Sequence, residues 1–400
     1  MPALDASERY AVDAAIRATY AAFVSMGFAF ASWASRIPQV RRQLSLDPSK
    51  LGLVLLAMAA GSLIALPLAG PAVTLWGSRV IVSGMATLAG VGLVAIAFGC
   101  RIGVAPVVGG LLALGFGTGG WDVAMNVQGA VVEQHRGRAI MPRFHAGFSV
   151  GTVAGALGGA AMVALEVSVT VHLVIVAVAV ATGVPVAVRR FIADHVSDGR
   201  PGTSSDSGAV RKSLRAWRES RTLLIGVFVL ALAFAEGSGN DWLSLAMIDD
   251  HHARPAVGTL ALASFLAAMT VGRWFGPRLL DEHGRVPVLR ASLLMAIAGL
   301  GLFAFGPSIA VAFAGTILWG AGISLGFPVG MSAGADEPAL AAARVSVIAS
   351  IGYCAFLGGP PLIGFLAQRY TVLHALSAVI ALLLLAGAVA NATRPPPAAD

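Results

Sequence analysis

Long apolar runs alternate with short polar breaks along nearly the whole chain. They fall at about 16–35, 51–76, 79–99, 104–130, 144–165, 168–188, 222–247, 256–279, 286–305, 308–332, 340–367 and 372–391. Most reach the roughly 20 residues that a helix needs to cross a hydrocarbon core. The pattern predicts an all-α membrane protein with twelve transmembrane helices. One long polar stretch, 190–221 with RPGTSSDSG at its middle, separates six spans from six. It reads as a cytoplasmic linker between an N-terminal six-helix bundle (1–189) and a C-terminal one (222–391), with residues 392–400 as a tail. The linker's end, KSLRAWRES, is either a short surface helix with Leu214 and Trp217 towards lipid or a solvated strand of the linker.

Composition strengthens this picture. Only 12% of the 400 residues are charged, about half of what a soluble domain carries. The net charge of +7 does not mark a nucleic-acid protein, because the basic residues are scattered between apolar runs. Sorted by loop, 20 of the 27 Lys and Arg residues fall on the side of the N-terminus and 7 on the other. The positive-inside rule then puts both termini in the cytoplasm. This sorting assigns Arg273 and Arg344 to inner segments and Arg36 to an outer one. Cys100 and Cys354 lie far apart and read as packing residues. The polar start and the absence of a small-residue cleavage pattern make the first run a permanent helix. There is no phosphate-cradling loop, and neither a metal nor a cofactor is expected. Nothing in the residues suggests an enzyme.

The two halves echo each other. Gly70-x3-Thr74-x2-Gly77-Ser-Arg79 joins spans two and three, and Pro277-x3-Asp281-x2-Gly284-Arg285 joins spans eight and nine, with Gly77 and Gly284 207 residues apart. Repeated halves mark secondary transporters. The pattern resembles the G-x3-D-x2-G-R/K loop of the major facilitator superfamily, with Thr74 in the acid's place in the first copy and Pro277 in the leading glycine's place in the second. Gly27-Phe-Ala, Ile37-Pro-Gln, Leu51-Gly-Leu-Val and Ala65-Leu-Pro-Leu-Ala-Gly70 are similar to the fucose-permease-like branch of bacterial sugar/proton symporters. Asp122-x3-Asn126 matches that branch's carboxylate-x3-Asn on span four. The branch usually has an Asp on span one just before the Ile-Pro, where this chain has Ala34-Ser35-Arg36. The resemblance implies a bacterial inner-membrane protein, and the loop motif implies inner-face roles for Arg79, Asp281 and Arg285.

The polar residues inside the apolar runs are the candidate chemistry. Asp122, Asn126, Gly129 and Glu133 share one face of span four. A charge at membrane depth costs about 2.5–3.5 kcal/mol on insertion scales, so such a group faces the bundle interior. A carboxyl whose ionised form is penalised in this way can take up and release a proton. Asp122 is the leading proton or substrate site, with a structural hydrogen bond as the alternative. Glu133 reads as a gate at the inner face, paired with Arg79 or Arg138 and followed by Arg136, or as a solvated helix end. On span seven, Glu236 and Asn240 share a face, and Glu236 is the second candidate proton-coupling carboxylate or a packing residue. Asp241, Trp242, His145 on span five, Tyr353 and Trp121 are candidate substrate contacts; each aromatic can equally serve packing. Gly151, Gly155, Gly158, Gly159 and the Gly358–Pro361 run read as positions of close helix contact and bending.

The expected function is proton-coupled transport of a small polar solute, a sugar or related metabolite, by alternating access. The partners are that solute, protons and the bilayer, and the chain is expected to be monomeric. A proton-driven exporter of drugs or metabolites needs the same carboxylate and is the alternative. A non-transporting membrane sensor of the same fold is a third.

Overall fold

The computed structural model describes residues 6–136, 140–193, 215–337 and 340–395. The chain divides into two compact units, Met1–Ser197 and Asp198–Asp400. The described residues are helical throughout, with no strand among them.

Unit 1 holds α1 (Ala6–Ala34), α2 (Ile37–Gln43), α3 (Pro48–Ile102), α4 (Val104–Arg136), α5 (Met141–Ala164) and α6 (Val169–Ala187). Unit 2 holds α7 (Ser220–Asp249), α8 (Pro255–His283), α9 (Arg285–Phe305), α10 (Ile309–Ile323), α11 (Gly326–Gly334), α12 (Ala341–Arg369) and α13 (Val372–Val389). Most of the expected linker, residues 194–214 with Leu214 among them, lies outside the described residues, as do residues 396–400 of the tail. Trp217 at the linker's end is about half exposed.

Eleven helical stretches are long and apolar enough to cross a membrane. The expected twelve spans are reached because α3 is two of them. Its 55 residues would measure about 80 Å at 1.5 Å per residue, far more than a core of roughly 30 Å. The run breaks at Gly77, with φ 79° and ψ 154°. Gly284, between α8 and α9, has φ 80° and ψ 164°. That region of backbone space is open essentially to glycine alone. The repeat read in the sequence is therefore a repeat of backbone conformation, two non-helical glycines each turning one span into the next.

Span ten departs from expectation. Instead of one run over 308–332, α10 ends at Ile323 and α11 begins at Gly326. Pro328 has no N–H to offer the Ser324 carbonyl four residues back. Arg273 Nε of α8 supplies that donor, at 3.3 Å.

Packing in unit 1 uses small residues, as membrane helices do. Gly27 of α1 and Gly151 of α5 face each other's helices so closely that a Cβ at either would strike a carbonyl oxygen, of Phe148 or Val24. Gly155 and Gly159 make similar approaches, whereas Gly158 and Gly358 face open space and hold no helix contact. Large apolar side chains such as Leu75, Ile102 and Leu294 are largely exposed, as a lipid-facing surface requires.

Candidate functional site

In unit 1, α4 places Asp122 half-buried in the middle of its span. Asn126 Nδ2 donates to the Asp122 carbonyl oxygen at 2.8 Å and to Asp122 Oδ1 at 3.2 Å. The i,i+4 spacing thus joins the two side chains on one face. No cation lies within ion-pair distance of Asp122 among the described residues. Trp121 is fully buried, so it belongs to the core instead of presenting a ring to a solute, and its indole N–H has no partner. Gln128, buried two residues beyond Asn126, accepts from Ser78 Oγ at 3.0 Å and ties α4 to the second arm of α3.

Among the described residues Glu133 forms no ion pair, so the expected pair with Arg79 is absent. Glu133 Oε2 accepts from the backbone N–H groups of Ile140 and Met141, each at 2.7 Å. These N–H groups lie at the start of α5, where backbone donors lack helical partners, so Glu133 caps that helix. Arg79 is exposed and makes no ion pair among the described residues. Arg138 lies outside them. Arg136 pairs instead with Asp13 of α1 at 2.8 Å, both side chains largely in solvent. His145 is exposed on α5 with its ring edge-on to Phe23, centroids 5.1 Å apart.

In unit 2, Glu236 is half of an ion pair. Arg273 Nη2 donates to both carboxylate oxygens, at 3.1 and 2.9 Å. Arg273 is therefore not an inner-loop charge: it lies within α8, well before that helix ends at His283. The basic residue followed an apolar run, so sorting by loop misplaced it. Asn240 keeps a buried Oδ1 with no partner. Asp241 is half-buried and has no hydrogen-bond or ion-pair partner among the described residues. Trp242 is 1% exposed, a core residue and not a stacking platform. Tyr353 is half-buried on α12, its ring tilted 6.2 Å from Phe356.

The second loop motif is also rewired. Asp281 is exposed and unpaired among the described residues, while Arg285 Nη1 reaches Asp336 Oδ1 at 2.7 Å. Arg221 at the start of α7 donates to Asp336 Oδ2, also at 2.7 Å. Arg344, 6% exposed, donates through Nε to Glu219 at 2.7 Å and pairs with Glu337 at 3.0 Å. The Arg344 hydrogen bond holds the Glu219 carboxyl below the ordinary range. Glu219, Asp336, Glu337 and Arg344 were legible only as loop charges near the ends of apolar runs.

Residues 18–244 match the Major Facilitator Superfamily. The chain is 30% identical over 382 residues to an uncharacterized MFS-type transporter of Yersinia pestis, covering 94% of each. It is also 30% identical to the membrane protein MosC of Rhizobium meliloti, covering 90% of this chain and 85% of that one. In fold it is similar to the nucleoside transporter NupG, with a TM-score of 0.79 at 14% identity, over 95% of this chain and 99% of that one. The E. coli fucose:proton symporter FucP aligns with a TM-score of 0.58 at 16% identity, over 94% and 98%. At such identities the likeness is one of fold. The chain belongs to the Major Facilitator Superfamily. It is a multi-pass membrane transporter of small molecules, which sets it apart from the enzymes.

Proposed function

We propose that this chain is a proton-coupled secondary transporter of a small polar solute, with Asp122 as the group that binds and releases the proton. One observation carries the reading: Asp122 is a membrane-depth carboxyl whose side chain has Asn126 for a partner and, among the described residues, no cation. A carboxylate that is desolvated and unpaired gains most from protonation. Glu236, by contrast, is already neutralised by Arg273. Between the two candidate carboxylates of the sequence, the proton role falls to Asp122, and the Glu236–Arg273 pair orients the polar face of α7. Within unit 1 Asn126, and within unit 2 Asn240 and Asp241, each offer polar groups suited to a solute. Sugars and nucleosides head the solute panel, since FucP is a fucose:proton symporter and NupG a nucleoside transporter by name. The loop-charge bias supports a bacterial inner membrane with both termini cytoplasmic.

The test is transport in proteoliposomes with an imposed pH gradient, wild type against Asp122→Asn, over that panel in both directions. Gradient-driven accumulation in wild type that vanishes in Asp122→Asn supports the reading. Accumulation unchanged in the variant overturns it. Movement of solute against an inward proton flow identifies antiport.

A further inference from the structure

Arg36, between α1 and α2, is 2% exposed and so is among the most deeply buried charges in the chain. Its Nε donates to Nδ1 of His172 on α6 at 2.9 Å. A ring nitrogen that accepts carries no proton, so this partner contributes no negative charge. No ion pair among the described residues involves Arg36, and its Nη2 is buried without any partner. Gln39 lies one helical turn on, at the i,i+3 spacing that makes two side chains neighbours. Both of its amide atoms, Nε2 and Oε1, are likewise buried and unpartnered.

Four other buried or half-buried arginines meet carboxylates, while half-buried Arg41 donates to the Leu46 carbonyl oxygen. Arg344 meets Glu219 and Glu337, Arg221 and Arg285 share Asp336, and Arg273 meets Glu236. An ion taken out of water costs several kcal/mol even after relaxation, and leaving a buried donor unmade costs about 1–3 kcal/mol more. Among the described residues Arg36 has the His172 hydrogen bond and no carboxylate to offset its charge, and its Nη2 is left unmade.

We propose that Arg36 and Gln39 form a binding site in unit 1 for an oxyanion, a carboxylate or a phosphate. The guanidinium supplies the countercharge and Nη2 a directed donor, the geometry for which arginine is suited. The Gln39 amide supplies a second donor and, through Oε1, an acceptor for a hydroxyl or protonated oxygen on the same ligand. His172 holds the guanidinium in place by occupying Nε. The oxyanion can be the acidic group of a solute or the phosphate of an anionic lipid. The site does not depend on proton coupling, because binding is measured without a gradient.

The experiment is thermal unfolding of the full-length protein in neutral detergent, titrated with sodium acetate, sodium phosphate or phosphatidylglycerol against equal ionic strength of sodium chloride. The expected result is a saturable rise in Tm beyond the chloride control. Saturation by acetate or phosphate assigns a soluble acid, and saturation by phosphatidylglycerol alone assigns a lipid headgroup. Gln39→Leu and Arg36→Lys should each weaken the apparent Kd about tenfold, the loss of one charge-assisted hydrogen bond. The proposal is overturned if no anion gives a saturable shift in wild type, or if the shift survives undiminished in Gln39→Leu. That second variant keeps every charge and removes only the amide, so it decides the matter even if changes at Arg36 prevent folding.

Discussion

Asp122 and Glu236 are two of the carboxylates that lie within spans of this chain, and their surroundings differ in one respect. Asp122 of α4 has an amide beside it, and Glu236 of α7 has a guanidinium. An ion pair at membrane depth spreads the cost of two charges over one neutral unit. On the proposed reading a lone carboxyl is instead the group that takes up and releases the proton. Identical residue chemistry in similar runs of sequence thus has opposite consequences, and the deciding partner of Glu236 lies 37 residues away on another helix. The units also differ at their helix ends. In unit 1 the start of α1 is joined to the end of α4 by the exposed Asp13–Arg136 pair. In unit 2 the start of α7 is joined to the segment after α11 by Arg221 and Asp336, with the signs exchanged and the carboxylate 9% exposed.

The sharpest way to break the comparison is to remove each carboxyl's charge. Asp122→Asn should abolish gradient-driven accumulation, a loss of tenfold or more, with little change in Tm; Glu236→Gln should retain gradient dependence. Equal losses from both would erase the distinction drawn here. Next in size is Arg273→Met, which leaves Glu236 unpaired and should cost about 1–3 kcal/mol, seen as a drop in Tm. The double variant Arg273→Met with Glu236→Gln should recover much of it, and a double-mutant cycle measures the coupling. The pair is part-exposed, so the full cost of breaking a buried bridge does not apply.

The helix-end comparison gives smaller effects. Asp336→Asn withdraws the charge from two arginines and should lower Tm clearly, while Asp13→Asn, at a surface pair, should cost about 0–1 kcal/mol. Glu133→Ala should cost about 1 kcal/mol as a lost cap, and transport should persist. Transport lost in Glu133→Ala at unchanged Tm would restore a gating role. Last, Glu219 has its carboxyl lowered by Arg344. A lowered folded value means stability present above the unfolded carboxyl range, about 4.3 for Glu, and lost as pH falls below it. Glu219→Gln should flatten that acid limb of the Tm–pH profile, and an unchanged limb would place the acid sensitivity elsewhere.

Local rules read much of this protein in advance. Span count followed from apolar length, and the turns at Gly77 and Gly284 followed from a repeat of glycine and arginine that only glycine's backbone freedom explains. The pairing of Asp122 with Asn126 followed from helix periodicity. Wherever an expectation depended on a distant partner it went astray. Glu133 was matched to arginines but accepts from backbone N–H groups at the start of α5. Trp121 and Trp242 were left open between solute contact and packing or anchoring, and helix rotation turns both into the core. Arg273 was counted as a loop charge because a basic residue following an apolar run looks the same whether the helix has ended or not.

By itself, then, the chain's pattern of apolar and polar positions determined the class of solvent it folds in, the number of spans and the two glycine turns. Each of those is decided by a window shorter than one helix, through transfer free energy and backbone sterics. Tertiary structure alone decided the charge partners: Glu236 with Arg273, Asp336 with Arg221 at 115 residues' separation, and Arg36 with no carboxylate among the described residues. Electrostatic pairing at low dielectric depends on a few ångströms between helices, a distance that no spacing along one helix contains.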